Sequence, residues 1–176
     1  MSKYGGKANF GFTVSHTTRQ PRPGEVNGVH YHFVTVNDMQ QQIQEGDKFL
    51  EHATVHGNLY GTSFQSLRDV AEKDGKRCLL DIDVQGVHRV KSLASTHGLH
   101  PKYIFIAPPS LEVLLDRLSK RGTETPESLA RRTANAKAEL EYGMQEGNFD
   151  RIVVNDDLEE ASRDFARAVE ELFGDL

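Results

Sequence analysis

The sequence predicts an α/β fold in which a parallel sheet is flanked by helices. Short apolar runs alternate along most of the chain with segments whose apolar residues recur at helical spacing. The run 77–83 (RCLLDID) is apolar on both alternating faces and ends in carboxylates, which is typical of a strand buried in a parallel sheet. The stretch 17–62 breaks the alternation with short extended pieces, which indicates a small mixed insert with antiparallel strands.

Composition and charge restrict the class of protein. The 176 residues include 37% hydrophobic and 27% charged residues, which suits one globular domain. The short apolar runs exclude a membrane span, and the single cysteine excludes a disulfide scaffold. The first residues lack the apolar core of a signal peptide, so we expect a cytoplasmic location and no membrane partner.

The negative net charge is unevenly distributed. The chain has a net charge of -5, and residues 141–176 carry 3 basic and 11 acidic groups. A solvated helix face explains that excess, and we expect no nucleic-acid partner because a chain-wide basic footprint is absent. A small phosphate pocket among the preceding residues remains compatible with the charge pattern.

The first half of the chain alternates short strands with helices. Alternating apolar residues predict strands, which span 10–14, 29–35 and 48–56. The prolines and glycines of 17–28 favour an ordered loop between the first two strands. Helical spacing predicts a short helix ended by Gly46 and a longer one from Ser63 to Asp74.

The second half continues the alternation. Two further apolar runs predict strands at 102–106 and 151–154. Leucines at helical spacing begin at Leu111, directly after Ser110, which is a good N-cap residue. Two more helices are predicted over 126–142 and 158–173.

A proline-restrained loop carries the densest group of polar side chains. Arg19 and Arg22 lie three residues apart, with hydroxyl side chains such as Ser15 upstream. Guanidinium groups bind oxyanions bidentately, and a rigid loop loses less entropy on binding, so this pattern suits a phosphate. A solvent-exposed basic turn is the alternative interpretation.

Asp81 and Asp83 end the predicted buried strand, where ligands bind in open parallel sheets. A carboxylate there commonly serves a Mg²⁺ ion or its waters, and two residues apart on a strand the pair would point to one face. The alternative is that both carboxylates cap a helix beginning at Val84.

Other candidate groups are weaker. Arginines flank the loop 122–126, as phosphoryl transfer requires, although solvated arginines on helices would look the same. They are Arg117, Arg121, Arg131 and Arg132.

Four histidines make a metal site conceivable, but no cysteine or tight carboxylate cluster accompanies them. They are His30, His32, His52 and His56. Cys78 is interpreted as a core residue rather than a nucleophile.

Six motifs follow one another in order between Phe10 and the C-terminus, which are SHTTRQPRPGE, GNLYGT, LDIDVQGV, FIAPPS, KRGTET and VNDD. In this order they resemble the guanylate kinase family. The resemblance implies a P-loop-kinase fold with a core at 1–16, 63–120 and 145–176, a GMP-binding subdomain at 17–62 and a lid at 121–144. It also implies Mg²⁺-dependent transfer of the γ-phosphoryl group of ATP to GMP, giving ADP and GDP.

The resemblance also implies a role for each matching residue. The residues expected to hold the GMP phosphate are Ser15, Arg19, Arg22, Tyr31 and Tyr60. Those expected to read guanine are Glu51, Thr62 and Asp83, because guanine presents adjacent N1–H and N2–H donors to a carboxylate while a hydroxyl serves O6. Arg121 and Arg132 would be catalytic lid arginines, Asp81 would lie by the metal, and Asn155 would lie near the adenine of ATP.

One family motif is missing from the sequence. The pattern G-x-x-x-x-G-K-[ST], which cradles the ATP phosphates, does not occur, and the resemblance therefore implies that the first strand, the P-loop and most of the first helix of the family fold are absent from this sequence. We favour an N-terminally truncated guanylate kinase over a P-loop-less module that binds partners without catalysis. The expectation for these 176 residues is GMP binding with greatly reduced kinase activity.

Overall fold

The computed structural model describes residues 9–55, 57–120 and 126–174, with side chains described throughout except over 126–132. The chain forms two compact units, Met1–His100 and Pro101–Leu176. Among the helices of the described ranges, none is long and apolar enough to cross a membrane.

The described residues of the first unit include six strands and three helices. The strands are β1 (Phe10–Phe12), β2 (His16–Thr17), β3 (His32–Phe33), β4 (Phe49–Val55), β5 (Asn58–Ser63) and β6 (Arg77–Leu79). The helices are α1 (Val36–Gln44), α2 (Phe64–Arg68), which continues as a π-helical turn over Asp69–Lys73, and α3 (Val84–Ala94).

Two separate strand arrangements organise the first unit. Strands β1 and β6 form a parallel pair, in which Gly11 lies opposite Cys78. The other four strands form a mixed sheet in the order β3-β2-β5-β4. Its β2–β5 and β4–β5 pairs are antiparallel, whereas β2 and β3 are parallel. The β4–β5 register places Glu51 opposite Thr62, which determines where the pocket described below forms.

Side-chain caps start the helices of the first unit. Thr35, Ser63 and Asp83 each adopt an extended backbone and accept a hydrogen bond from an amide in the first turn of the following helix. The buried apolar core of this unit includes Met39, Phe49, Leu50, Val87 and Val90.

The second unit is a smaller α/β arrangement. Strands β7 (Ile104–Ala107) and β8 (Arg151–Val154) form a parallel pair. Its helices are α4 (Leu111–Ser119), α5 (Pro126–Met144) and α6 (Leu158–Phe173). The buried residues Val153, Ala161 and Ala168 form its core, against which Ile104 and Phe165 pack.

Most of the predicted elements are present. The prediction of an α/β fold with parallel strands is confirmed, as are the strand at 151–154, the helix at 158–173 and the N-cap at Ser110, whose hydroxyl accepts from the Val113 amide at 3.1 Å. The predicted helix at 126–142 is two residues longer, ending at Met144.

Several predicted strands are shorter than expected, and those at 29–35 and 77–83 lose the most residues. The strand at 29–35 is reduced to His32–Phe33, because Val29 and His30 donate their amides to Val26 O in a local turn. The strand at 77–83 ends at Leu79, so the expectation that Asp81 and Asp83 lie on one strand face is wrong. Asp83 instead caps α3, and helix capping competes successfully with continuation of the strand at that residue.

Candidate functional site

A pocket of about 310 Å³ in the first unit collects most of the residues predicted to bind GMP. Six of the predicted site residues line it, namely Ser15, Tyr31, Glu51, Tyr60, Asp81 and Asp83. The remaining lining residues are small or apolar and were not predicted, namely Ala53, Val55, Gly61 and Ile82.

A hydrogen-bonded chain holds the carboxylate of Glu51 in this pocket. Thr62 hydrogen bonds to Glu51 through its side chain and its backbone, and the hydroxyls of Thr62 and Ser15 are 3.0 Å apart. Because a hydroxyl has a single hydrogen, a Thr62 hydroxyl that donates to Glu51 accepts from Ser15. Thr62 itself is fully buried and supports the two pocket-lining side chains.

The electrostatic environment of Glu51 is unusual for a carboxylate. The residue is only 3% exposed. Burial raises the pKa of Glu51, and the charge of Asp83 raises it further, while the two hydrogen bonds from Thr62 oppose this rise. Glu51 is therefore a buried acceptor whose hydrogen-bonding partners here are neutral, and additional donors would stabilise its ionised form.

Asp83 and Asp81 differ in how they are held. Asp83 Oδ1 accepts from the Gly86 amide at 2.8 Å, and Oδ2 accepts from the Gln85 side-chain amide at 3.0 Å. The capping alternative raised from the sequence thus applies to Asp83. Asp81 is exposed and lines the pocket, where its charge contributes to raising the pKa of Tyr31 after the larger effect of burial and that of Tyr60.

The proline-restrained loop turns back on itself, so that Glu25 forms a bidentate ion pair with Arg19. The Arg19 guanidinium donates to both carboxylate oxygens of Glu25, at 3.0 and 2.9 Å. Arg22 donates its backbone amide to Glu25 Oε2 at 2.6 Å. The hydrogen bond from Arg19, followed by that from Arg22, lowers the pKa of Glu25 to about 2. The two predicted arginines therefore belong to one organised turn, with the Arg22 side chain on its exposed surface.

Aromatic rings connect Arg19 to the pocket. Its guanidinium carbon lies 5.5 Å from the centre of the Tyr31 ring and 5.9 Å from that of Phe33. Tyr31 and Tyr60 meet edge to face, with ring centres 6.0 Å apart. The hydrogen bond to Glu25 raises the pKa of Arg19 most, and the hydrogen bond to Tyr60 raises it further. The Arg19 cation thus lies beside Tyr31 and Tyr60, which both line the pocket.

The structure does not support the conceivable histidine metal site. No group of three or more histidine, cysteine, aspartate or glutamate side chains able to hold a metal occurs in the described part of the chain. His30 accepts from the Val26 amide at 2.9 Å, the His32 ring packs on that of His16, and His56 lies outside the described residues.

Cys78 is partly buried, as its interpretation as a core residue suggested. Burial raises the pKa of the Cys78 thiol, and its sulfur lies 3.4 Å from Leu67 O. A raised thiol pKa disfavours the nucleophilic thiolate.

The second unit contains the predicted ATP-side residue Asn155. Asn155 follows β8. Its backbone N–H donates to Ala107 O at 2.7 Å, and its backbone carbonyl oxygen accepts from Arg117 Nη1 at 2.7 Å. Arg117 is therefore occupied in ordering this loop. Of the predicted lid arginines, Arg121 lies outside the described residues, as does the side chain of Arg132.

Besides the unpredicted lining residues, Glu25 and Gly86 shape the site through contacts with predicted residues and were not predicted from the sequence. Glu25 had a detectable signal, since Pro23-Gly24 favours a turn that returns the chain towards the preceding arginines. Gly86 had none, because only the tertiary structure brings it against Glu51.

Comparisons with known proteins agree with this architecture. The family model described as guanylate kinase matches residues 4–172. A relative from Sus scrofa named guanylate kinase is 53% identical over 152 residues, which are 86% of this chain and 74% of the relative. Guanylate kinase 1 of Oryza sativa subsp. japonica is 51% identical over 90% of this chain, which spans 40% of that relative's length.

A solved structure shows the same fold. The crystal structure of guanylate kinase from Anaplasma phagocytophilum is similar with a TM-score of 0.68 and 29% identity, covering 97% of this chain and 81% of that chain. The strand arrangement, the match over nearly the whole chain and the identity to relatives together show that the chain belongs to the guanylate kinase family.

Proposed function

We propose that the pocket of the first unit binds GMP and that the chain serves transfer of the γ-phosphoryl group from ATP to GMP. The proposal rests on the buried Glu51 carboxylate, which lines the pocket and whose hydrogen-bonding partner among the described residues is the neutral Thr62. Guanine offers two adjacent N–H donors to such a group, whereas adenine offers no equivalent pair. Leaving a buried acceptor unpaired is costly, so the site favours guanine over adenine.

The polar end of the pocket supports a phosphate. Tyr31 and Tyr60 line the pocket, and Arg19 lies against the Tyr31 ring. A mononucleotide with its base at Glu51 would direct its phosphate towards these hydroxyls and the guanidinium. Arg22 and Ser15 are the remaining residues that we assign to the phosphate.

The ATP side is proposed from the family alone. The residues that we assign to it are Asp81, Arg121, Arg132 and Asn155. Asp81 suits Mg²⁺, because it is an exposed oxygen donor at the pocket, and Mg²⁺ usually keeps several waters while using one or two carboxylates. When bound with ATP, Mg²⁺ neutralises phosphate charge. The cytoplasmic location expected from the sequence remains a prediction.

Isothermal titration of the 176-residue chain with GMP and AMP tests the proposal. We expect GMP to bind at least tenfold more tightly than AMP, because one unpaired buried acceptor corresponds to about that factor or more. Equal affinities, or no binding of GMP, would contradict the assignment of the pocket.

A coupled assay for GMP-dependent ADP formation tests the transfer step separately. ADP formation that requires both GMP and Mg²⁺ would support the kinase assignment. Because these 176 residues contain no P-loop motif, we expect this ADP formation to be slow, and GMP binding with no ADP formation even at high concentrations of the chain would favour the alternative of a binding module.

A further inference from the structure

Gly86 lies where a side chain would collide with the Glu51 carboxylate. It is in the first turn of α3, and a Cβ atom placed there would be 2.8 Å from Glu51 Oε2 and 3.3 Å from Glu51 Cδ. Ordinary Cβ contacts are longer than either distance. The helix therefore approaches Glu51 more closely than any other residue type would allow without movement.

Helix formation does not favour glycine at this position. Alanine is the better helix former, and Gly86 has no positive φ that would require glycine. The residue is buried, and its amide donates to Asp83 Oδ1 at 2.8 Å. An added methyl group would leave this amide in place, so its contacts with Glu51 and Ile82 distinguish alanine from glycine here, and the shorter one is with Glu51.

We infer that Gly86 is a positioning residue for base recognition, which keeps the Glu51 carboxylate directed into the pocket by leaving space beside it. This inference rests on the proposed function, because it assigns Gly86 to the guanine-binding end of the same pocket. The Glu51 oxygen is the free end of a flexible side chain, whereas the nearby Ile82 Cβ, 3.2 Å from the added atom, belongs to a less mobile part of its residue. An added methyl group would thus displace the carboxylate first.

Titration with GMP of Gly86→Ala and the unaltered chain tests the inference. We expect Gly86→Ala to weaken GMP binding about tenfold or more, since the displaced charged acceptor loses its hydrogen bonds to guanine. IMP lacks the N2 amino group, so Gly86→Ala should weaken IMP binding less than it weakens GMP binding. The ratio of the GMP affinity to the IMP affinity should therefore be smaller in Gly86→Ala than in the unaltered chain. An unchanged GMP affinity would overturn the inference.

Gly11→Ala provides a matched control in the same unit. A Cβ at Gly11 would lie 2.6 Å from Val70 Cγ1, so the same substitution creates an apolar collision away from the residues that line the pocket. It should lower the melting temperature and leave the GMP affinity of the folded chain unchanged. If it weakened GMP binding as much as Gly86→Ala, general packing loss would explain both results and the inference would be wrong.

A double-mutant cycle separates positioning from a purely structural role. In a Glu51→Ala background, Gly86→Ala should have no further effect on GMP affinity, because the side chain it displaces is gone. Gly86→Ala should also lower the melting temperature less in that background than in the unaltered chain, because the collision with Glu51 is gone while the contact with Ile82 Cβ and the gain in helix propensity are the same in both. Equal effects of Gly86→Ala in the two backgrounds would overturn the inference.

The melting comparison requires no nucleotide. If the unaltered chain binds no GMP, the proposed function fails, while the coupling of Gly86 to Glu51 in thermal stability still decides whether the two residues constrain each other.

Discussion

Glu51 and Glu25 are glutamates of the same unit in opposite environments. Glu51 is buried on strand β4 with hydrogen bonds from Thr62, and burial raises its pKa. Glu25 lies in a loop and receives both ends of the Arg19 guanidinium, which lowers its pKa to about 2. One carboxylate is held where ionisation is unfavourable, and the other where ionisation is already fully stabilised.

The difference separates two tasks within one candidate site. The charge of Glu25 is satisfied by the protein itself, so this residue serves to hold Arg19 beside the aromatic rings. In the described part of the chain, ionised Glu51 is hydrogen-bonded by the neutral Thr62 and not by a cation, so it gains most from donors that a ligand brings. The buried end is therefore suited to discriminate between bases, whereas the loop end is suited to attract a phosphate.

Of the substitutions that test this comparison, Glu51→Gln should have the largest effect on GMP affinity. The variant preserves size but replaces one acceptor oxygen by a donor that faces the N–H groups of guanine. We expect GMP affinity to fall roughly a hundredfold, the upper range for a hydrogen bond to a charged group, with little change for AMP. Calorimetric titration measures both. The exposed Glu45→Gln serves as the matched control, and equal losses in the two variants would contradict the assignment.

Arg19→Ala tests the loop end and should have a smaller effect. GMP affinity should fall about tenfold, while guanosine, which lacks a phosphate, should bind as before. Because the hydrogen bond from Arg19 is the main cause of the low pKa of Glu25, that pKa should rise towards its ordinary value in an NMR titration. Arg68→Ala, at an exposed arginine outside the pocket lining, should change neither quantity. A loss of guanosine affinity in Arg19→Ala would show that the two ends are not separable.

The pH dependence of guanosine affinity should further distinguish the Glu51 end of the site from the Arg19 loop, with a moderate effect. Guanine recognition requires ionised Glu51, whose pKa lies above 4.5, the ordinary value for glutamate. Guanosine affinity should therefore decrease as pH falls towards and through this raised pKa. Titrations at a series of pH values should show this decrease in the unaltered chain and a flatter profile in Glu51→Gln. Identical profiles would exclude Glu51 as the titrating group.

The smallest expected effect concerns stability rather than binding. Burial, followed by the charges of His32 and Lys48, lowers the pKa of His16 from 6.5 to about 4. Between these values the unfolded chain binds more protons, so the contribution of His16 to the free energy of unfolding is present above pH 6.5 and lost as pH falls towards 4. Urea unfolding of His16→Gln should show a weaker pH dependence over this window than the unaltered chain. His100→Gln, at an exposed histidine, should retain the full dependence.

Local patterns predicted the elements better than their ends. Capping residues and apolar spacing located the helices beginning after Ser110 and spanning 158–173, because both signals are contained in a few neighbouring residues. The strand predicted over 77–83 was too long, because the observed strand ends at Leu79. An aspartate at the end of an apolar run suits either a strand end or a helix cap. The choice depends on the hydrogen bond between Asp83 and Gly86, which sequence spacing alone leaves open.

The amino-acid sequence was sufficient to predict the α/β class, the family resemblance and the identity of the candidate residues, because these follow from local periodicity and motif order. The tertiary structure decided which of those residues share a pocket and how each carboxylate is solvated. Glu51 meets Thr62 through strand pairing and Gly86 through the approach of α3, while Glu25 meets Arg19 through a turn. Solvation and close contact depend on distances between segments far apart in the chain, which no local pattern specifies.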